Sequence, residues 1–169
     1  MSRPDPNEHA PYFSRYIDLA PEDDVVTALE RQGDATAALL AGVTEERAGF
    51  RYAPGKWTIK EVANHIADAE RVFAYRAMAI ARGETRSLPG FDENAYNANA
   101  DADRRSLRDL AAELLAVRRA TVALFRGLSD AAWNRIGTAN ENRISVRALA
   151  YVALGHERHH VKILREKYL

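Results

Sequence analysis

The chain has 169 residues, 47% hydrophobic and 28% charged, a size and balance that suit one soluble globular domain with a core of its own. Its 24 Lys and Arg offset its 24 Asp and Glu, so it lacks the basic excess that holds a nucleic-acid backbone. It has no cysteine, which excludes disulfides, thiolate metal sites and cysteine nucleophiles and leaves any metal to nitrogen and oxygen ligands.

Residues 1–20 form a polar leader broken by Pro4, Pro6 and Pro11, without the apolar stretch of a signal peptide. Tyr12 and Tyr16, one helical turn apart, are expected to pack this leader onto the body of the protein. No run approaches the roughly 20 apolar residues of a membrane helix, so a cytoplasmic protein with no membrane and no nucleic-acid partner is expected.

Helical periodicity then recurs four times. A first helix is predicted from about Pro21 to Val43, opened by Glu22, Asp23 and Asp24, whose charges suit a helix N-terminus. A second is predicted from Thr58 to about Arg82. Thr58 and Glu61 have the spacing of a capping box, Trp57 and Val62 that of a hydrophobic staple, and Gly83 suits the end. A third, from Ser106 to about Leu128, carries the cleanest apolar stripe: Leu107, Leu110, Leu114, Val117, Thr121, Leu124 and Leu128. A fourth starts at Ser145 and runs almost to the C-terminus. No segment between them alternates with a strand period. The reading is all-α: a four-helix bundle in a single domain over 1–169, with long inter-helix connections at 84–105 and 130–144. Phe91 and Tyr96 are the aromatics that the first of these could fold over a pocket.

Four of the five histidines fall on these helices. At 100° per residue, His65 lies about 60° from the centre of the second helix's apolar face, and His156 and His160 within about 40° of the fourth's. His159 points roughly 100° away. An i, i+4 histidine pair suits two ligands of one ion, and a histidine from a facing helix makes a third, leaving a position for water or substrate. The competing reading is of hydrogen-bonded core histidines; three imidazoles flanking apolar faces on two helices put the two readings near parity. Glu157, about 60° from the fourth helix's apolar centre, can orient a ligand histidine, accept a proton or form a buried ion pair. Arg76, about 50° from the second helix's centre, reads as a snorkelling or paired side chain near the bundle end.

The stretch Gly55-Lys56-Trp57-Thr58-Ile59-Lys60-Glu61-Val62, with Asn64-His65-Ile66-Ala67-Asp68-Ala69-Glu70-Arg71, resembles the second helix of the DinB/YfiT-like superfamily. Gly155-His156-Glu157-Arg158-His159-His160 resembles its other signature, and order and separation agree from about residue 12 onward. The resemblance implies a divalent ion, zinc or nickel, on His65, His156 and His160. It further implies a metal-dependent enzyme acting on a small molecule, with transfer of a low-molecular-weight thiol to an electrophile as the favoured reaction. The alternatives are a metal-dependent hydrolase assisted by Glu157, and a non-catalytic metal-binding bundle. A homodimer is the expected assembly.

Overall fold

The structure, a computed structural model, describes residues 2–169. Four long helices form the body, and each begins at a polar side chain that accepts from an otherwise orphaned backbone N–H. Asp24 caps α2 (Val25–Ala41), Thr58 caps α4 (Ile59–Ala81), Ser106 caps α6 (Leu107–Arg126) and Ser145 caps α8 (Val146–Ile163). The capping box on α4 is complete: Glu61 N donates to Thr58 Oγ1 (3.0 Å) and Thr58 N to Glu61 Oε2 (2.6 Å). Gly83, at φ 92°, takes the left-handed conformation that ends this helix. The charges of Glu22 and Asp23 precede α2 rather than open it, because Asp24 takes the cap. The last helix passes into a π-helical turn, Leu164–Tyr168.

Short elements fill the connections: α1 (Ser14–Ile17), α3 (Glu45–Ala48), α5 (Glu93–Ala98) and α7 (Asp130–Trp133). One expectation fails here. The segment before α8 is a β-hairpin, β1 (Ile136–Ala139) against β2 (Asn142–Ser145), with Ala139 opposite Asn142. Asn140 and Glu141 both have positive φ (49° and 61°), the conformation of a two-residue hairpin turn. Strands of four residues are too short to print an alternation in sequence. The hairpin also straps down the 84–105 connection, through Leu88 N to Thr138 O (2.9 Å) and Asn140 N to Leu88 O (2.8 Å).

Helix α2 packs on α6 and α8, and α4 packs on the same two helices, so the consecutive pairs α2–α4 and α6–α8 lie across the bundle's diagonals. Long connections are what this order requires. The apolar core divides in two. One cluster gathers Leu29, Phe73, Phe125, Trp133 and Leu149; the other gathers Leu40, Ile66, Leu114 and Leu164. Between them runs a buried polar layer. Arg118 is 1% exposed and donates from Nε to Glu70 Oε1 (2.8 Å), from Nη2 to Glu70 Oε2 (2.6 Å) and Glu157 Oε2 (2.5 Å), and from Nη1 to the Leu29 carbonyl (2.6 Å). Gly33 on α2 leaves room for it, since a Cβ there would lie 2.7 Å from Arg118 Cγ. Among the described residues no helix is long and apolar enough to cross a membrane.

Candidate metal centre

His65 sits in the second turn of α4, held inward because Val62, Ile66 and Ala69 around it face the core. His156 and His160 stand one turn apart on α8, which packs directly against α4. The three Nε2 atoms converge: His65 to His156 is 3.1 Å and His160 to His156 is 3.2 Å, and one donor atom from each ring lies within 4.8 Å of the other two. His65 and His156 are buried and His160 is partly so.

Burial is the first cause that lowers the pKa of each ring. His65 falls to about 4, with Glu93 and Asp68 pulling it partly back, and His160 to about 3, with the neighbouring histidines and Arg15 pushing the same way. His156 falls well below the ordinary imidazole value for the same reasons. At neutral pH the site therefore holds three uncharged imidazoles. His156 Nε2 faces both other rings, and a neutral ring has at most one proton there, so hydrogen bonding satisfies at most one of these two contacts. A single cation satisfies all three nitrogens. Tetrahedral zinc–imidazole bonds of 2.0–2.1 Å would put ligand nitrogens about 3.3 Å apart, close to the 3.1 and 3.2 Å that separate His156 from its two neighbours. The donor set fits a divalent ion.

The histidines line one end of a cavity of about 540 Å³. Its walls come from elements that sequence periodicity did not connect to the site. Trp57, expected only as a staple, also stacks near His65 (ring centroids 4.7 Å apart) and His160 (6.4 Å). Tyr16 from the leader packs edge-on to His156 (5.4 Å) and His159 (5.7 Å), whereas Tyr12 is 57% exposed and anchors little. Burial raises the Tyr16 pKa to about 12, so its hydroxyl keeps its proton; it accepts from Arg15 Nη2 at 2.7 Å. Phe91 lines the cavity as expected, while Tyr96 packs behind it and is 55% exposed.

Three expectations change. His159, set aside because it leaves the apolar face, lines the same cavity: its offset turns it toward the leader, which builds a wall there. Glu157 does not face the cavity. It is fully buried on the polar layer, paired with Arg118, so of its three possible roles the geometry matches the ion pair, and a catalytic role is not carried forward. Arg76 neither snorkels nor pairs with a carboxylate; it is 5% exposed and lines the cavity. Helical periodicity does not single out Arg118 and Glu70, although each interrupts an apolar stripe: Arg118 between Leu114 and Thr121, Glu70 between Ile66 and Phe73.

A family model of the DinB superfamily matches residues 28–164, a span that holds all three histidines. The chain belongs to the DinB superfamily. Among its relatives is a protein of Geobacillus thermodenitrificans (strain NG80-2), provisionally named a metal-dependent hydrolase, 27% identical over 113 residues. The match covers 66% of this chain but only 62% of that protein. Among solved structures the fold is that of YfiT from Bacillus subtilis, described as a probable metal-dependent hydrolase with an unusual four-helix bundle topology. The TM-score is 0.77 at 20% identity, over 96% of this chain and 93% of YfiT. For this DinB-superfamily chain the likeness to YfiT speaks to the fold.

Proposed function

We propose that this chain is a metal-dependent hydrolase of a small molecule, with one divalent ion, zinc or nickel, held by His65, His156 and His160. The observation that carries the reading is the convergence of three uncharged Nε2 atoms at one end of a cavity large enough for a small substrate. The names of the Geobacillus relative and of YfiT support the hydrolytic class. When bound, the ion would supply Lewis-acid chemistry, polarising an electrophile and improving a nucleophile at neutral pH. The chain's own residues do the rest. Trp57 and Phe73 pack against the histidines and keep bulk water from their inner side. His159, whose pKa is lowered mainly by burial, is neutral and able to accept a proton.

Transfer of a low-molecular-weight thiol is the second reading, and one observation favours it. Glu157, the carboxylate assigned to help hydrolysis, is sealed into an ion pair. A thiol ionises more readily than water and has less need of a base. The experiment compares metal-loaded protein on a panel of esters, lactones and amides without thiol against bacillithiol, mycothiol or glutathione with an aryl halide. Hydrolysis abolished by His160→Ala supports the first reading. Activity only with a thiol replaces it by the second. A protein inert in both arms, with metal fully bound, is the non-catalytic bundle.

A further inference from the structure

Among the described residues two arginines are buried, and their surroundings differ in kind. Arg118 has every nitrogen bonded, to two carboxylates and a carbonyl. Arg76, 5% exposed, has one protein partner, the Pro89 carbonyl, which accepts from Nη2 at 2.7 Å. Its Nε is sealed without any hydrogen bond, and its Nη1 has no protein partner either but, unlike Nε, is not sealed. Among the described residues no carboxylate forms an ion pair with it, and burial lowers its pKa. Glu93 borders the same cavity without reaching it. A guanidinium withdrawn from water and left without a counter-charge is costly, because lost hydration is not replaced. A cavity wall is where a ligand can replace it.

We propose that Arg76 recognises an anionic group of the substrate, and that the substrate is a monocarboxylate with an apolar body. The proposal rests on the reading of this cavity as a substrate site. At Arg76 a single guanidinium, with Nη2 already engaged and Glu93 on the same cavity, suits one negative charge better than a phosphate dianion; Arg15, the other arginine lining the cavity, donates to the Tyr12 and Tyr16 hydroxyls beside the histidines. The apolar body follows from position. Arg76 lies eleven residues beyond His65 on α4, about 16 Å along the helix axis. Phe73 stands between them on the same wall and Phe91 also lines the cavity. A molecule that extends from Arg76 toward the histidines passes these rings; an acetate is too short to meet them, whereas an arylalkanoate can meet the guanidinium and the rings together. The carboxylate then lies at Arg76 and the reacting bond near the histidines.

The test titrates 3-phenylpropionate and its neutral amide into metal-free and metal-loaded protein near neutral pH, followed by calorimetry. The acid should bind both forms, about 10- to 100-fold tighter than the amide, as a charge-assisted hydrogen bond implies. Arg76→Met should remove that preference while leaving amide binding in place, and Arg76→Lys should keep part of it. If Arg76 only tethers Pro89, the Met variant loses acid and amide alike, and the proposal falls. Should Arg76→Met fail to fold, the wild-type comparison still decides: equal affinity for acid and amide, or no binding of the acid, overturns it. Acid binding that appears only with metal loaded also overturns it, because the ion and not Arg76 then takes the carboxylate, while the metal reading stands.

Discussion

His65, His156 and His160 are uncharged because burial opposes their protonation, and their nitrogens converge because a turn of α8 faces a turn of α4. Each should therefore be needed for the ion. Elemental analysis is expected to give about one divalent ion per subunit, lost in His65→Ala, His156→Ala and His160→Ala and kept in His159→Ala; unchanged content in all of the first three ends the metal assignment. Glu157 makes a different prediction. Burial raises its pKa against the pull of Arg118, and its Oε1 has no hydrogen-bond partner. Glu157→Gln, nearly the same shape without the charge, is expected to cost under about 1 kcal/mol, whereas Arg118→Met leaves two buried carboxylates facing each other and should cost about 3–5 kcal/mol. Urea unfolding measures both, and a Gln variant as damaging as the Met variant would show that the Glu157 charge is needed.

At the scale of elements, the cavity exists because α1 lies close against α8, and Gly155 is what permits it. A Cβ on residue 155 would sit 1.9 Å from the Tyr16 carbonyl oxygen. Gly155→Ala, which an isolated helix would favour, should instead push α1 away, lift Tyr16 from His156, and destabilise the fold by about 1–3 kcal/mol. Faster proteolysis of residues 1–20, read with urea unfolding, checks this; a more stable variant with an intact leader refutes it. The hairpin has a related function. Its turn meets Gly90, where a Cβ would lie 2.3 Å from Asn140 Oδ1, and so β1 and β2 hold the segment that carries Pro89 and Phe91 over the cavity.

For the whole molecule, the buried histidines predict how metal-free stability varies with pH. Their unfolded pKa is about 6.5, while His65 and His160 fall to about 4 and about 3 in the fold. Below pH 6.5 the unfolded chain takes up protons that the folded one refuses, so the stability present above that pH is lost as pH falls toward 4. The loss approaches about 1.4 kcal/mol per histidine per pH unit well inside the window. The lowered carboxylates Glu8, Glu22 and Glu113, with an ordinary value of 4.5, act mainly below this range. The urea midpoint of metal-free protein should drop between pH 6.5 and 4.5, and His65→Ala/His160→Ala should flatten the curve; a flat wild-type profile contradicts the depressed values. By the same shifts, proton competition for the metal begins below the pH 6.5 of an ordinary imidazole. We also propose a homodimer through the outer face of α4 and α6, where Tyr75 and Met78 are 52% and 41% exposed beside Ala74 and Ala120. Light scattering should give twice the 18.8 kDa chain mass at micromolar concentration, falling in Met78→Glu, and a monomer throughout removes the proposal.

The four long helices were legible in the sequence because they depend on neighbours in the chain: apolar residues every three or four positions, and a cap such as Thr58 with Glu61. The histidine triad was legible for the same reason, once the faces of two helices were drawn and the family resemblance joined them. What depends on the partner across space was not. Arg118 and Glu70 each interrupt an apolar stripe, which periodicity alone does not interpret; only the packing of α4, α6 and α8 makes them one ion-paired layer and draws Glu157 into it. His159 joined the cavity because the leader lies against α8, and Arg76 stands without a counter-charge because no carboxylate reaches it. Helical periodicity is a property of one segment, whereas the burial and pairing of a charge belong to all the segments that surround it, which is why tertiary structure decided the site's walls and electrostatics.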